Sequence, residues 1–378
     1  MPDSSLSPHR KKSRYQTLAE KLQNDIEQGK YPVGVRLPSE RVLAKEFDTT
    51  HVTIRQGVDI LVRKGLVIRE PGSGTYVNAQ YEKAAVGILF GPRIADESAH
   101  FYRALLGSLE REVERLSFAC RSYDGFNKTD ESEAERSASY QQLVTDSQNH
   151  PFKGFIVISV TDPRWLERKP IRNLPKASHG LYGKDVVIDY YRFGRDCMEF
   201  VFRNGRKKVF YLQTFTHSAD DLKGFSDAAE ELNIPVPEYV QLDTSGGRGD
   251  HDALAHKKIE ALLAQWNATG QWPDTLIVSD DIATRGVALG LIKAGIEVPS
   301  QMMVITHANE GIEHHYGLDI IRYSISPDEI ARKLGVLLQK KMDDPATPVE
   351  QRKVHGRWVM PGAKMPVPNG DTLTSALR

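Results

Sequence analysis

Two rhythms of apolar residues divide the chain. Leu18, Leu22 and Ile26 recur at helical spacing, which predicts a helix over Tyr15–Gln28. Residues 29–34 (GKYPVG) read as a turn and Val35-Arg36-Leu37 as a short extended piece. Pro38 suits the first turn of a helix, where its missing N–H costs nothing, and Leu43, Ala44 and Phe47 give that helix one apolar side. A break follows at Asp48-Thr49, and the hydroxyl of Thr49 or Thr50 can cap a further helix. There Ile54, Val58, Leu61 and Val62 recur at i, i+4, i+7, i+8 as one stripe, opposite the polar His51, Thr53, Arg55 and Gln56. Gly65 stops this helix in the manner of a C′ glycine. Leu66 to Arg69, a Pro71-Gly72-Ser73-Gly74 turn and Thr75-Tyr76-Val77 then predict a small hairpin. Successive helices followed by a hairpin give the layout of a winged helix-turn-helix, whose second helix lies in the DNA major groove.

From Ala84 the rhythm changes. Short apolar runs are expected as buried strands at Val86–Phe90, Phe118–Tyr123, Gly154–Ser159, Val186–Asp189, Lys208–Gln213, Tyr239–Leu242, Thr275–Val278 and Met303–Thr306. Between them helices are expected over Phe101–Glu114, Ser139–Asn149, Gly194–Asn204, Asp221–Leu232, Ala253–Trp266 and Ile282–Ala294. Strands alternating with helices of this length imply parallel sheets covered on both faces. About 290 residues is too much for one such core, so two doubly wound lobes are expected, with ligand between their strand C-terminal ends.

Charge sharpens this division. The chain carries 50 Lys+Arg and 50 Asp+Glu, so it is neutral overall. Residues 1–78 hold 13 basic against 9 acidic residues, a net +4, leaving 37 against 41, a net −4, for the remainder. A basic head on a mildly acidic body fits a head that meets phosphates. The two cysteines, Cys120 and Cys197, sit in apolar surroundings and cannot build a disulfide framework, which points to buried thiols in a reducing cytoplasm. No apolar run approaches the roughly eighteen residues of a membrane helix, and Met1–Arg14 lacks the hydrophobic stretch of a secretory signal. Its His9-Arg10-Lys11-Lys12-Ser13-Arg14 reads as a loose basic arm.

The head resembles the DNA-binding domain of GntR-type transcriptional regulators. The resemblance is carried by Tyr15, Ile26 to Gly29, Gly34, Leu37-Pro38-Ser39-Glu40-Arg41, Leu43-Ala44, Phe47, Thr53-Ile54-Arg55, Gly65-Leu66 and Gly72-Ser73-Gly74-Thr75-Tyr76-Val77. It implies DNA contacts by Arg41, Thr50, His51, Thr53 and Arg55, with the wing residues Gly72, Ser73 and Gly74 on the minor groove or backbone. Arg55 has the fork to grip guanine O6/N7 or clamp a phosphate. His51 stands where many family members carry Arg, which lowers the charge of this surface. For Arg41 the competing reading is a surface ion pair with Glu40 or Glu46.

The body is similar to the effector-binding core of lactose-repressor-type regulators, itself similar to periplasmic sugar-binding proteins. The residues that carry this are Val86-Gly87-Ile88-Leu89, Phe101-Tyr102, residues 153–157 (KGFIV), Val187-Ile188-Asp189, residues 204–209 (NGRKKV), Lys223-Gly224-Phe225, residues 273–283 (PDTLIVSDDIA), residues 295–299 (GIEVP) and residues 326–331 (SPDEIA). The resemblance implies three crossings between lobes that act as hinges, and pairing through the cores. It places a flexible basic arm at 1–14, the winged helix-turn-helix at 15–78, a linker at 79–83 and an effector and dimerisation domain at 84–378. Lobe one is expected at about 84–188 and 325–342, and lobe two at about 189–324 and 343–378. Loops after strands nominate Phe90, Phe101, Tyr102, Asp124, Ser159, Thr161, Asp221, Asp280, His307 and Asn309 for the effector. Asp221 departs from the Arg common in sugar-responsive relatives, and Asp280-Asp281 from the usual Asn-Asp pair, so the cleft is expected to be acidic and suited to a sugar, polyol, amino sugar or other polar ligand. Asp281 is read first as the N-cap of the helix that follows.

Catalytic readings find little purchase. An aminotransferase-like body needs a longer chain than this, and no Gly-x-Ser-x-Gly elbow, Walker loop or Gly-x-Gly-x-x-Gly fingerprint occurs. Gly246-Gly247-Arg248-Gly249 reads as a flexible loop. His251-x4-His256 and His314-His315 lack a further ligand at metal-binding spacing and read as exposed histidines. The expectation is a non-enzymatic, cytoplasmic homodimer without cofactor or metal, a repressor of operator DNA answering a small sugar-like effector. The alternative is a solute-binding or enzymatic body whose head only localises it.

Overall fold

The computed structural model describes residues 13–79, 84–96, 99–127, 138–149, 151–180, 185–214, 219–242, 251–312, 314–348 and 350–362. Nearly all of the expected basic arm, most of the linker and the Gly246–Gly249 loop lie outside the described residues. Two compact units divide at Lys83/Ala84.

The first unit is built from α1 (Arg14–Glu27), α2 (Glu40–Glu46), α3 (His51–Arg63), β1 (Val67–Glu70) and β2 (Gly74–Val77). Leu18 and Leu22 of α1, Leu43 of α2, and Ile54, Val58 and Leu61 of α3 close into one core with Leu66 and Val77. Thr50 is the N-cap of α3, its hydroxyl accepting from the Thr53 N–H at 3.2 Å. Ser39 caps α2, so Pro38 sits just before the cap and not in the first turn as expected. The wing turns through Glu70-Pro71-Gly72-Ser73, where the Ser73 N–H donates to the Glu70 carbonyl at 3.0 Å. Gly72 has φ 76°, the left-handed value such a turn demands at its third position. Val35–Leu37 lies along β2, with Leu37 N donating to Thr75 O at 2.8 Å.

The second unit holds two six-stranded sheets. Lobe one contains β3 (Ala85–Phe90), β4 (Ala119–Tyr123), β5 (Phe152–Ile158), β6 (Lys176–His179), β7 (Val186–Ile188) and β13 (Arg352–Val354), in the spatial order β13-β7-β6-β5-β3-β4. Lobe two contains β8 (Val209–Gln213), β9 (Glu238–Gln241), β10 (Thr275–Val278), β11 (Met303–Asn309), β12 (Ile321–Ile325) and β14 (Arg357–Val359), in the order β14-β12-β11-β10-β8-β9. Every pairing is parallel except that of β12 with β14. The central strands are buried end to end because helices cover both faces. These helices are α4 (His100–Arg115), α5 (Ala138–Asn149), α6 (Tyr190–Arg203), α7 (Asp220–Leu232), α8 (His251–Thr269), α9 (Asp281–Lys293) and α10 (Pro327–Asp343). Helices α6 and α7 pack closely through Gly194 and Gly224: a Cβ on Gly224 would stand 2.1 Å from the Tyr191 carbonyl oxygen.

The chain passes between lobes at Ile188/Asp189, at Ile325/Ser326 and between β13 and β14. Asp189 anchors the first passage, donating its N–H to Val354 O at 2.9 Å and capping α6 through Oδ1. The tail departs from expectation. It does not lie wholly in lobe two: β13 pairs with β7 of lobe one, and only β14 joins lobe two. Helix α6 starts at Tyr190 and not Gly194, because Asp189 supplies the cap. Strand β11 runs on to Asn309, which puts His307 and Asn309 inside a strand and not in the loop beyond. Cys197 is buried, whereas Cys120 is only half-buried. No helix among the described residues is long and apolar enough to cross a membrane.

Candidate DNA-reading face and effector cleft

The residues expected to meet DNA lie on α2, at the start of α3 and in the wing turn. Arg41, Thr50, His51, Arg55 and Gly72 are exposed, while Thr53, Ser73 and Gly74 are half-buried. The Thr50 and Thr53 hydroxyls lie 2.9 Å apart, so both serve the cap as well as the surface. The ion pairs that competed for Arg41 go elsewhere: Glu40 meets Arg69 at 3.4 Å and Glu46 meets Lys30 at 2.7 Å. Arg41 and Arg55 make no ion pair with a described residue, which leaves both guanidinium groups able to reach phosphate or base. Two exposed side chains join this surface without having been expected there. Val52, on the first turn of α3, is 58% exposed, an apolar group of the kind that meets a thymine methyl. Arg36 lies across the wing, where a Cβ on Gly74 would come within 2.4 Å of its Nε. Only the pairing of Val35–Leu37 with β2 reveals the latter.

In the second unit the C-terminal edges of the two sheets meet. His100, opening α4 after β3, packs its ring edge-on to His314 beyond β11, with centroids 6.0 Å apart. From lobe one, Tyr102 Oη donates to Ser159 Oγ at 3.3 Å, and the Phe101 ring lies 6.2 Å from that of His179. His179 is fixed by its Nδ1, 2.8 Å from Val186 O, and burial lowers its pKa. From lobe two, His307 sits between Tyr190 at 5.8 Å and Phe193 at 5.6 Å, and burial pushes its imidazole down to about 4.

The ten expected effector residues part company here. Phe101, Tyr102, Ser159, His307 and Asn309 gather at the meeting edges. Phe90 exposes no surface and packs in the core beneath Tyr102. Asp221 is equally sealed: its Oδ2 accepts from Tyr211 Oη at 2.7 Å and Gln213 Nε2 at 3.0 Å, and its Oδ1 from the Leu222 N–H at 2.8 Å. That carboxylate holds α7 to β8, a correction to its reading as a ligand contact. Asp124 holds the β3–α4 connection by accepting from the Ile94 N–H at 2.9 Å, and Thr161 is fixed by Asn127 Oδ1 at 2.8 Å.

The acidic pair exchanges roles. Asp280, not Asp281, is the N-cap of α9, its Oδ1 accepting from Ile282 N at 2.7 Å and Ala283 N at 3.4 Å. Its Oδ2 stands 3.0 Å from His251 Nδ1. Asp281 opens the helix and turns its carboxyl to Asn309 Nδ2 at 3.2 Å, with His314 Nε2 at 3.9 Å. Burial, followed by the neighbouring Asp280, pushes the Asp281 carboxyl up to about 7. The histidines read as exposed are also corrected, since His251 is buried and His314 half-buried. Tyr190, His100, His314 and Asp281 thus lie at the meeting edges without having been nominated, and His251 is buried against Asp280. Among the described residues no group of three or more His, Cys, Asp or Glu side chains is placed to hold a metal.

Fold and surfaces together describe a winged-helix unit and a two-lobed unit of parallel sheets. Residues 14–77 match the gntR family of bacterial regulatory proteins, and residues 199–360 match the periplasmic binding protein-like domain. The chain therefore joins a GntR-type winged-helix domain to a periplasmic-binding-protein-like body. The head is 36% identical over 75 residues to the HTH-type transcriptional repressor NagR of Bacillus subtilis strain 168, covering 20% of this chain and 31% of that protein. The chain spans 27% of the length of the first curated relatives it matches. The body superposes on a regulatory protein of the LacI family from Chloroflexus aggregans with TM-score 0.57 and 16% identity, over 73% of this chain and 97% of that one. It also superposes on a periplasmic binding protein/LacI transcriptional regulator from Alkaliphilus metalliredigens QYMF complexed with D-xylulofuranose, with TM-score 0.52 and 16% identity, over 73% and 97% of the two chains. At these identities the likeness shows the fold.

Proposed function

We propose that this protein is a ligand-responsive transcriptional regulator, a repressor that binds operator DNA as a homodimer in the cytoplasm and answers a small, sugar-like effector. The observation that carries the reading is the pairing, in one chain, of a winged helix, whose Arg41 and Arg55 make no ion pair with a described residue, with a two-lobed body whose cleft gathers aromatic rings and buried polar groups. Arg41, Thr50, His51, Thr53, Arg55 and the Gly72–Gly74 turn take the DNA contacts, joined by Arg36 and Val52. Phe101, Tyr102, Ser159, His307 and Asn309 take the effector, joined by Tyr190, Asp281 and His314. Effector binding biases the lobes toward one closure state through the three crossings, and in a dimer this changes the separation of two heads that must match half-sites about one helical turn apart. The relatives named as transcriptional repressors and the neighbour holding D-xylulofuranose support both halves. The test is a gel-shift on the DNA upstream of the protein's own gene, across a panel of sugars and polyols. A sequence-specific complex weakened by one member of the panel is expected. No specific complex at fixed salt overturns the DNA reading, and a complex indifferent to every ligand overturns the effector reading.

A further inference from the structure

A neutral sugar has no need of the acidic corner of this cleft. Asp280 is occupied by the α9 N-terminus and His251, but Asp281 retains acceptor capacity. Its side chain is 8% exposed; Asn309 Nδ2 donates to its Oδ2, and the carboxyl also meets the Ile282 N–H and the Asp280 carboxyl. His314 Nε2 stands 3.9 Å from the same oxygen, too far for a direct hydrogen bond. A single donor nitrogen placed about 2.8 Å from each atom bridges that gap. A second observation points into the corner from β11. His307, on the same strand face as Asn309 and only 7% exposed, has a buried Nε2 without a hydrogen-bond partner, as does His314. Neither Asp280 nor Asp281 has a lysine or arginine ion pair among the described residues. Arg285 and Arg322 are the cations whose field reaches His314.

We propose that the effector carries a protonated amine on a polyhydroxylated frame, an amino sugar or amino polyol, with the ammonium bridging Asp281 Oδ2 and His314 Nε2 and a hydroxyl satisfying His307 Nε2. This rests on the reading of the cleft as the effector site. An ammonium offers three donors, and both imidazoles accept in the tautomer protonated at Nδ1. Burial lowers the pKa of both His307 and His314 and favours their neutral forms, so among the described residues the corner offers an anionic group no buried cation. Binding a cation fixes Asp281 in its ionised form, converting a costly buried carboxylate into a charge-assisted hydrogen bond. The flanking rings of Tyr102 and Tyr190 supply faces for the sugar ring.

The test uses the full chain, near neutral pH, with three matched probe pairs: D-glucosamine and D-glucose, D-galactosamine and D-galactose, D-glucamine and D-sorbitol. Isothermal titration should show at least one amine binding about tenfold or more tightly than its hydroxyl partner. Asp281→Asn should abolish that advantage, bringing amine and hydroxyl partner to within about threefold of each other whatever happens to the affinity they share, and His314→Ala should narrow it. Melting curves confirm that each variant folds. The proposal is overturned if no amine outbinds its partner, including the case where none of the six binds, or if the advantage survives Asp281→Asn. A neutral sugar that loosens the operator complex while all three amines fail would sink the amine assignment and spare the effector reading.

Discussion

Replacing Asp281 by Asn should stabilise the ligand-free protein at alkaline pH and change nothing in acid. The carboxyl lies buried at the start of α9 and is lifted from 3.8 to about 7 by burial and by Asp280. At about 1.4 kcal/mol per pH interval this sets a ceiling of roughly 4 kcal/mol for ionising it in the folded state. Sharing of protons with Asp280 brings a realistic figure to about 2 kcal/mol. The folded state holds this proton more tightly than the unfolded chain does, so stability falls as pH rises from about 4 to about 7 and is flat above. Asparagine keeps the shape, can still accept from Asn309 and has no proton to lose. It forfeits a first-turn charge worth about 0.3–1 kcal/mol, leaving a net gain of about 1–2 kcal/mol near pH 8. For a domain of this size that is a rise of roughly 2–5 °C in Tm. Calorimetric scans of both proteins at several pH values make the measurement. A variant less stable than the parent near pH 8, or a difference that does not vary with pH, refutes the reasoning.

Three more outcomes follow from the same structure. Arg55→Ala should cost about 1–3 kcal/mol in operator binding without shifting Tm, and unchanged anisotropy titrations at fixed salt would remove Arg55 from the interface. Gly224→Ala should destabilise the body by about 1–3 kcal/mol or more, because the new Cβ meets the Tyr191 carbonyl at 2.1 Å; denaturant titration checks this, and an unaltered midpoint would mean that α6 and α7 part without cost. His307→Gln should make the protein more tolerant of acid. Burial holds His307 unprotonated down to about 4 while the unfolded chain takes a proton near 6.5, so this histidine's contribution is complete above about 6.5 and drains away toward 4. Melting curves across that window should lie closer together for the variant, and identical slopes would contradict the assignment.

How far the chain disclosed itself depended on how local each determinant is. The head was readable because its signals sit within a few residues of what they control: Thr50 caps the helix it begins, and Gly72 turns the wing beside it. Buried strands such as β3 and β10 announced themselves as apolar runs. Strand β6, KASH, did not, because its lysine and histidine interrupt any apolar rhythm, and the three-residue β13 and β14 are too short to show one. The cleft was harder still. Which of two adjacent aspartates caps α9 is settled by the φ, ψ of Asp280 and not by residue type. Asp221 looked like a ligand group until Tyr211 and Gln213, ten and eight residues earlier, were seen to consume it. His251 and His314 looked like surface residues because nothing near them in sequence reveals that Asp280 and His100 come to meet them.

The separate destinations of β13 and β14 bear on how the molecule is made. Synthesis runs from the head toward the tail, so the winged-helix unit can fold while the two-lobed unit is still being translated. Each lobe waits for an edge strand that emerges late, and one short run of chain delivers both. A nascent polypeptide ending before Arg352 would therefore present two unfinished sheets, each with a raw edge, after the first unit had already folded.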